Sequence, residues 1–129
     1  MLQRISNVDK LNVKILSFSS IIQLGDSCIT NGFSRALAVQ REKEEFYGNE
    51  GNFPSYSVFT KPIPLPPITE EISTFTHNAN PVIKVKHIDI IGISSSSILH
   101  VGNTRHVSME VRVKHIRQEL LEGHEQDLR

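Results

Sequence analysis

Six histidines and one cysteine are the side chains of this 129-residue chain best suited to metal binding or nucleophilic chemistry. His100 and His106 flank Gly102-Asn103, a pair typical of a two-residue hairpin turn. With that turn His100 pairs with Arg105, so the two histidines fall on opposite faces of the sheet. None of the six stands at the i, i+2 or helical i, i+4 spacing that lets neighbours share an ion. The sequence therefore predicts no metal site.

Nucleophilic catalysis is equally poorly supported. Cys28 would need a base beside it, and its predicted cross-strand partner, Gln23, is not one. We interpret Cys28 as a small strand residue, with an intermolecular crosslink as the alternative. The serine run Ser94–Ser97 lacks the G-x-S-x-G elbow and is interpreted as strand serines. With no glycine-rich phosphate loop or paired-cysteine motif either, we predict no catalytic residues, no cofactor and no enzyme.

The chain contains two similar stretches 77 positions apart. Ser19–Ser27 reads SSIIQLGDS and Ser96–Thr104 reads SSILHVGNT. The match continues on both sides at that spacing: Val8 with Val85, Leu11 with Ile88, Arg35 with Arg112 and Glu42 with Glu119. We interpret this as an internal duplication, with a first segment at about 4–42, a crossover at about 43–80 and a second segment at about 81–119. With the tail at 120–129, the length predicts a single domain over 1–129.

Each segment is predicted to form a β-hairpin, which makes the fold class all-β. Gly25-Asp26 follows a short apolar run, and glycine accepts the positive φ that such a turn needs. Leu24 would then pair with Ser27. The alternation of valines from Val107 to Val113 is typical of a half-buried strand. Residues 33–40 could be helix by propensity, but their alignment with this stretch favours a strand.

The crossover and the tail have a different composition. Four prolines within residues 62–67 exclude helix and central strand, and predict extended polyproline-II chain. Five aromatic residues precede them and are interpreted as a satellite core capping the sheet, or else as a ligand platform: Phe46, Tyr47, Phe53, Tyr56 and Phe59. The tail is predicted to be a short helix or a frayed end.

Composition excludes several classes of protein. Fourteen basic and fourteen acidic residues give no net charge, so we expect neither nucleic acid nor anionic lipid as a partner. No apolar stretch approaches the roughly 20 residues needed for membrane insertion. A single cysteine excludes an internal disulfide framework, and the first ten residues lack an apolar run of signal-peptide length. We expect a soluble protein made in the cytoplasm, with a modest core that a partner or self-association would complete.

The string LSFSSIIQLGDSCITNGFSRALAVQRE, at residues 16–42, is followed by an aromatic stretch and PIP. Together they resemble the GerPE family of spore germination proteins, from about Arg4 into the second segment. The similarity is densest at 19–27 and 35–42. The Gly102-Asn103 turn and Cys28 depart from the family in detail.

The resemblance implies a non-enzymatic, structural protein of the inner spore coat, synthesised in the mother-cell cytoplasm. Such a protein would make the coat permeable to nutrient germinants. Implied partners are other spore coat and germination operon proteins, with a homo-oligomer as a further expectation. Exposed strand edges could supply the protein–protein interfaces. The alternative is a small β domain that binds a germinant or carbohydrate ligand in an aromatic-lined pocket.

Overall fold

The computed structural model describes residues 4–43 and 47–118. They are mostly strand, in six elements: β1 (Ile5–Leu16), β2 (Ile21–Leu24), β3 (Ser27–Arg41), β4 (Val82–Ile93), β5 (Ile98–Val101) and β6 (Thr104–Gln118). A single 3-10 turn at Phe53–Ser55 and one short helix, α1 (Ser57–Thr60), are the helical elements of the described residues. The predicted all-β class is confirmed, including the strand over residues 33–40.

The strands pair in three two-stranded sheets, β1 with β4, β2 with β5 and β3 with β6. The first two pairs are parallel. Ile5 lies opposite Val82 and Leu16 opposite Ile93, so the register corresponds to the spacing of 77 along the whole ladder. The β2–β5 pair keeps the same register. Residues that are equivalent in the two segments therefore lie side by side.

The predicted hairpins are wrong. Leu24 lies opposite Val101 rather than Ser27, and His100 lies opposite Gln23 rather than Arg105. The glycine turns themselves are present, since Gly25 has φ 100° and its equivalent after Val101 has φ 147°. The physical reason is ladder length. The 12-residue strands β1 and β4 align the two segments, whereas a hairpin would pair only the four residues of β2 with its own neighbour.

Strand β1 does not alternate regularly along its length. Its half-buried residues are Ser6, Val8, Leu11 and Val13. The spacing is two residues except between Val8 and Leu11, where it is three. Asp9 and the lysine after it are both exposed. The equivalent positions of β4 show the same change, at residues 86 and 87. Two successive outward side chains mark a local irregularity of the bulge type, stacked in the two strands.

The predicted half-buried face of β6 is only partly observed. The strand is present, but Val107, Val111 and Val113 are 48%, 43% and 42% exposed. Met109 is half-buried and lies against Gly32, where a Cβ atom would collide with the Met109 side chain. The alternation therefore indicated a strand correctly, but these three valines are not on a half-buried face of the described residues.

Residues 62–79 contain neither helix nor strand, and every side chain from residue 60 to 80 is exposed. Ile68 and Phe75 are the extremes, at 94% each. The polyproline-II conformation and the crossover role of this segment stay predictions. The predicted helix or frayed end at 120–129 lies outside the described residues, as does Phe46.

The chain divides into two compact units. Unit 1 contains Met1–Ser34 and Pro64–Val111, and unit 2 contains Arg35–Ile63 and Arg112–Arg129. Buried apolar side chains are few among the described residues: Ile93 and Val101 in unit 1 and Phe59 in unit 2. None of the described side chains falls below 2% exposure. Within the same residues, no helix has the length and apolarity required to cross a membrane.

Candidate functional site: an interaction surface

The histidines of the described residues do not come together. His100 Nε2 lies 2.9 Å from the carbonyl oxygen of Gly25, in the turn that follows β2. His87 lies on β4 opposite Lys10, and His106 and His115 are exposed on β6. Residues 4–43 and 47–118 hold no group of three His, Cys, Asp or Glu side chains that could bind a metal ion.

Cys28 is a free, exposed thiol at the start of β3. Its predicted neighbour Gln23 instead faces β5. The crosslink proposed for this thiol stays a prediction, as does the absence of catalytic and cofactor-binding residues.

A network of polar contacts holds the turn between β2 and β3. The guanidinium of Arg4 donates to both carboxylate oxygens of Asp26, at 2.9 and 2.8 Å. The backbone N–H of Asn103 donates to the same carboxylate at 2.7 Å. Arg4, followed by this backbone N–H, holds the pKa of Asp26 below its ordinary value of 3.8. Asp26 is therefore bound by Arg4 of its own segment and by the Asn103 backbone of the second segment.

The serine run was predicted to be strand, and this is wrong. Ser94–Ser97 forms the corner between β4 and β5, with Ser95 and Ser96 at φ 57° and 55°. The equivalent corner of the first segment has Phe18 and Ser19 at φ 50° and 57°. Two consecutive left-handed residues cannot continue a strand, because the backbone turns there.

Hydrogen bonds between equivalent residues join the two corners. The Ser17 hydroxyl donates to the Ser94 hydroxyl at 3.1 Å, and the backbone N–H of Ser97 donates to Ser20 Oγ at 3.3 Å. Further along the ladder, the Asn12 amide donates to Asp89 Oδ1 at 3.0 Å. Each of these pairs is separated by 77 positions. Like-with-like stacking is thus built into unit 1 at the level of side chains.

In unit 2 the predicted aromatic cluster is present in part. The rings of Phe53 and Phe59 meet edge to face with centroids 4.8 Å apart, and Tyr56 meets Phe59 at 6.3 Å. Phe59 is 7% exposed, and the Arg35 guanidinium lies 4.8 Å from the centroid of Phe53. These rings pack on one another in the manner of a satellite core, with a T-shaped geometry that aromatic pairs prefer.

A second polar arrangement in unit 2 surrounds Glu50. It receives the backbone N–H of Tyr47 at 2.7 Å and the Arg41 guanidinium at 2.9 Å. These contacts, with the backbone amide of Glu50, hold the pKa of Glu50 below its ordinary value, the Tyr47 amide having the largest effect. A nearby open cavity of about 210 Å³ is lined by Gln40, Arg41, Glu42, Arg117 and Gln118. It is smaller than most ligand pockets and lacks their apolar lining.

What unit 1 leaves open is its two outer strand edges and much apolar surface. β1–β4 and β2–β5 are each two-stranded, so among the described residues one edge of every strand has no strand partner. Large apolar side chains beside these edges are exposed: Ile5, Ile15, Leu16, Phe18, Leu24 and Ile91. We call these edges, with their apolar side chains, the open edges of unit 1. Unpaired backbone donors and acceptors are templates for further strand pairing.

The sequence predicted exposed strand edges but not which edges are open, because the pairing was assigned within each segment. The signal that could have revealed it was the ungapped match itself. A spacing kept constant over many residues is what in-register parallel stacking of two equivalent segments requires.

Comparison with known proteins identifies relatives along nearly the whole chain. A family model described as spore germination protein GerPE matches residues 5–124. A probable spore germination protein GerPE from Bacillus cereus is 29% identical over 119 residues, which cover 92% of this chain and 93% of the relative. No solved structure gives a significant match.

Proposed function

We propose that this chain, which belongs to the GerPE family of spore germination proteins, acts as a structural component of the spore coat. In this role it makes the coat permeable to nutrient germinants, and it works through protein–protein interfaces rather than catalysis. It is synthesised in the mother cell and functions in the inner coat, together with other proteins of the coat and of the germination operon.

The observation that carries this proposal is the pair of open edges in unit 1. A protein whose described residues bury only three apolar side chains has little core of its own, and association would cover the exposed apolar side chains. The polar groups of the turn and corners are already engaged: Arg4 binds Asp26 within the first segment, and the Asn103–Asp26 and Ser17–Ser94 hydrogen bonds join the two segments. Such a surface suits assembly with other strands better than it suits binding a small solute.

We further propose that the two segments arose by duplication of one unit. The constant register of 77 supports this. Two copies of one unit have the same strand and turn lengths, so their equivalent residues can lie side by side. The positive φ values at equivalent corner residues support it as well.

Spores that lack the gene provide the test. Germination would be scored with nutrient germinants, before and after chemical removal of the coat. We expect slow germination that decoating restores, because the missing protein acts on passage through the coat.

A defect that persists after decoating would contradict the proposal. The protein would then act at or beyond the germinant receptors, as the ligand-binding alternative requires. A germinant that reaches its target without a receptor, or a complemented strain, controls for general damage to the spore.

A further inference from the structure

We propose that unit 1 stacks head to tail on a second copy of this chain. The outer edge of β4 and β5 would pair, in parallel, with the outer edge of β1 and β2 of the next molecule. This inference rests on the proposed structural role and names its first partner.

The first step concerns the outer edge of β2. In a parallel ladder, successive residues point their backbone groups alternately toward the partner strand and away from it. Gly25 N donates to Val101 O at 2.8 Å, so Gly25 and, by alternation, Gln23 face β5. Ile22 and Leu24 therefore point their N–H and C=O groups outward, where the described residues supply no strand.

The second step concerns the outer edge of β5. The same alternation turns Leu99 and Val101 toward β2, and leaves the backbone groups of Ile98 and His100 pointing outward. His100 is the equivalent of Gln23, which faces β5 from the other side. The backbone groups on the outer edge of β5, at Ile98 and His100, are therefore equivalent to those with which β2 bonds β5, at Ile21 and Gln23.

The two outer edges are consequently complementary in the register that the molecule already uses. Ile22 and Leu24 are the equivalents of Leu99 and Val101. Within the molecule, Leu99 and Val101 supply the backbone groups through which β5 bonds β2, and Ile22 and Leu24 present the same groups on the outer edge of β2. The edge of β5 in one molecule can pair with the edge of β2 in the next without any shift. No strand has to change its conformation.

The two turn glycines provide an independent indication of direction. A Cβ atom on Gly102 would collide with the carbonyl of Gly25, which occupies that position. At Gly25 the corresponding space is open, with no atom within 4 Å. In the stack, the carbonyl of Gly102 from the neighbouring molecule fills the space beside Gly25, as the internal contact fills the space beside Gly102.

Side chains along β1 and β4 fit the same arrangement. The Asn12–Asp89 hydrogen bond of 3.0 Å would recur between molecules, because each contact again places the second segment beside a first. The register also places Val8 opposite Val85 and Val13 opposite Ile90, so apolar side chains meet apolar side chains. The surface is therefore favourable for a second copy of this chain.

An edge that pairs with a different edge is a heterologous contact, which does not close after two molecules. We expect a series of oligomers that lengthens with concentration, unless curvature closes them into a ring. Isologous pairing, edge to identical edge, would instead stop at the dimer.

Mixed cysteine variants test the contact directly. Cys28→Ser provides a background without a thiol, and Asn12→Cys and Asp89→Cys are then made as two separate proteins. In the stack, residue 89 of one molecule lies beside residue 12 of the next, at a distance suited to a disulfide. We expect oxidation of the mixture to yield crosslinked heterodimers, and oxidation of either protein alone to yield none.

Two results would overturn the inference. One is a mixture that stays uncrosslinked although both variants retain the circular dichroism spectrum of the parent. The other is efficient crosslinking of either variant alone, which indicates isologous pairing. Asn7→Cys mixed with Asp89→Cys is the matched control, because residue 7 lies five positions out of register and should not crosslink.

A second measurement addresses the edge itself. Leu24→Pro removes an N–H that points outward, while the internal ladder keeps its bonds. We expect this variant to remain monomeric by light scattering at concentrations at which the parent associates. Leu24→Ala removes the apolar side chain but keeps the N–H, so it should still associate. Equal association of all three proteins would contradict pairing through this edge.

These measurements are made on purified protein, and they fail separately from the proposed function. A monomeric chain whose absence still slows germination until decoating would keep the coat role and remove self-stacking. Stacking without any germination defect would keep self-stacking and remove the coat role.

Discussion

At the scale of single residues, Asp26 is the residue of the turn that both segments bind. Arg4 and Asp26 form a two-point ion pair, and Asn103 contributes a backbone N–H from the second segment. The pKa of Asp26 is lowered by these partners, so the folded state favours the carboxylate. The stabilisation is present above the ordinary pKa of the carboxyl and is lost as the pH falls through the lowered value.

Arg4→Met tests this ion pair. We expect the pKa of Asp26 to rise toward its ordinary value, measured by NMR titration of the carboxyl carbon, because the largest lowering contact is removed. The difference in melting temperature between parent and variant should shrink as the pH falls through the lowered pKa of Asp26, because the carboxyl is then protonated in both. Lys14→Met, on β1, is the control and should leave the Asp26 titration unchanged.

The two turn glycines yield a second prediction at this scale. Gly25→Ala and Gly102→Ala share the cost of an L-residue at positive φ, which is of order 1 kcal/mol. Only the second variant also places a Cβ against a backbone carbonyl, that of Gly25. We expect Gly102→Ala to lower the free energy of unfolding by about 1–3 kcal/mol more than Gly25→Ala, in dilute solution by urea denaturation. Equal losses would argue against the observed stacking of the turns.

At the scale of elements, unit 2 depends on its small aromatic cluster. α1 has four residues and no capping side chain, so propensity alone does not account for it. Phe59, from this helix, packs edge to face on Phe53, and the Arg112 guanidinium donates to the carbonyl oxygens of Val58 and Lys61. The helix is therefore held by tertiary contacts.

Phe59→Ala tests this dependence. Phe59 is 7% exposed, and removing such a ring costs about 3 kcal/mol or more of unfolding free energy. We expect a lower melting temperature and altered amide shifts in unit 2. Phe75→Ala is the matched control, because that ring is 94% exposed and its loss should change stability by less than about 0.5 kcal/mol. A similar response of both variants would contradict the packing of α1.

At the scale of the whole molecule, the two segments pair with each other while the stretch between them is exposed. The ladder of β1 with β4 runs from Ile5–Val82 to Leu16–Ile93, and that of β2 with β5 follows it. Every side chain from 60 to 80 is exposed. Continuity of the chain through this stretch should then matter little once the molecule has folded.

A specific protease site inserted between Glu70 and Glu71 tests this expectation. After cleavage, we expect the two fragments to elute together in native size-exclusion chromatography and to separate in urea, because the backbone ladder joins them. Fragments that separate without denaturant would show that the parallel pairing is too weak to hold the segments.

Much of the local structure was predictable from the sequence. Strand alternation is a period-two pattern, so residues 107–113 indicated β6, and glycine at Gly25 indicated a turn with positive φ. The aromatic residues around Phe59 indicated a small separate cluster. These features depend on neighbours in the chain, which a sequence displays directly.

Which strands pair with each other was not predictable in the same way, and the pairing decided which surfaces are exposed. A turn of the Gly25-Asp26 type is compatible with a hairpin, and only the tertiary structure shows that Leu24 meets Val101. The reason is that ladder partners are chosen by total ladder length and by like-with-like packing across 77 positions, not by the turn alone. The same pairing places the serines at corners, leaves the valines of β6 exposed and opens the outer edges for a further strand. The sequence by itself determined the all-β class and the family resemblance, and the parallel register determined which surface is left open for assembly.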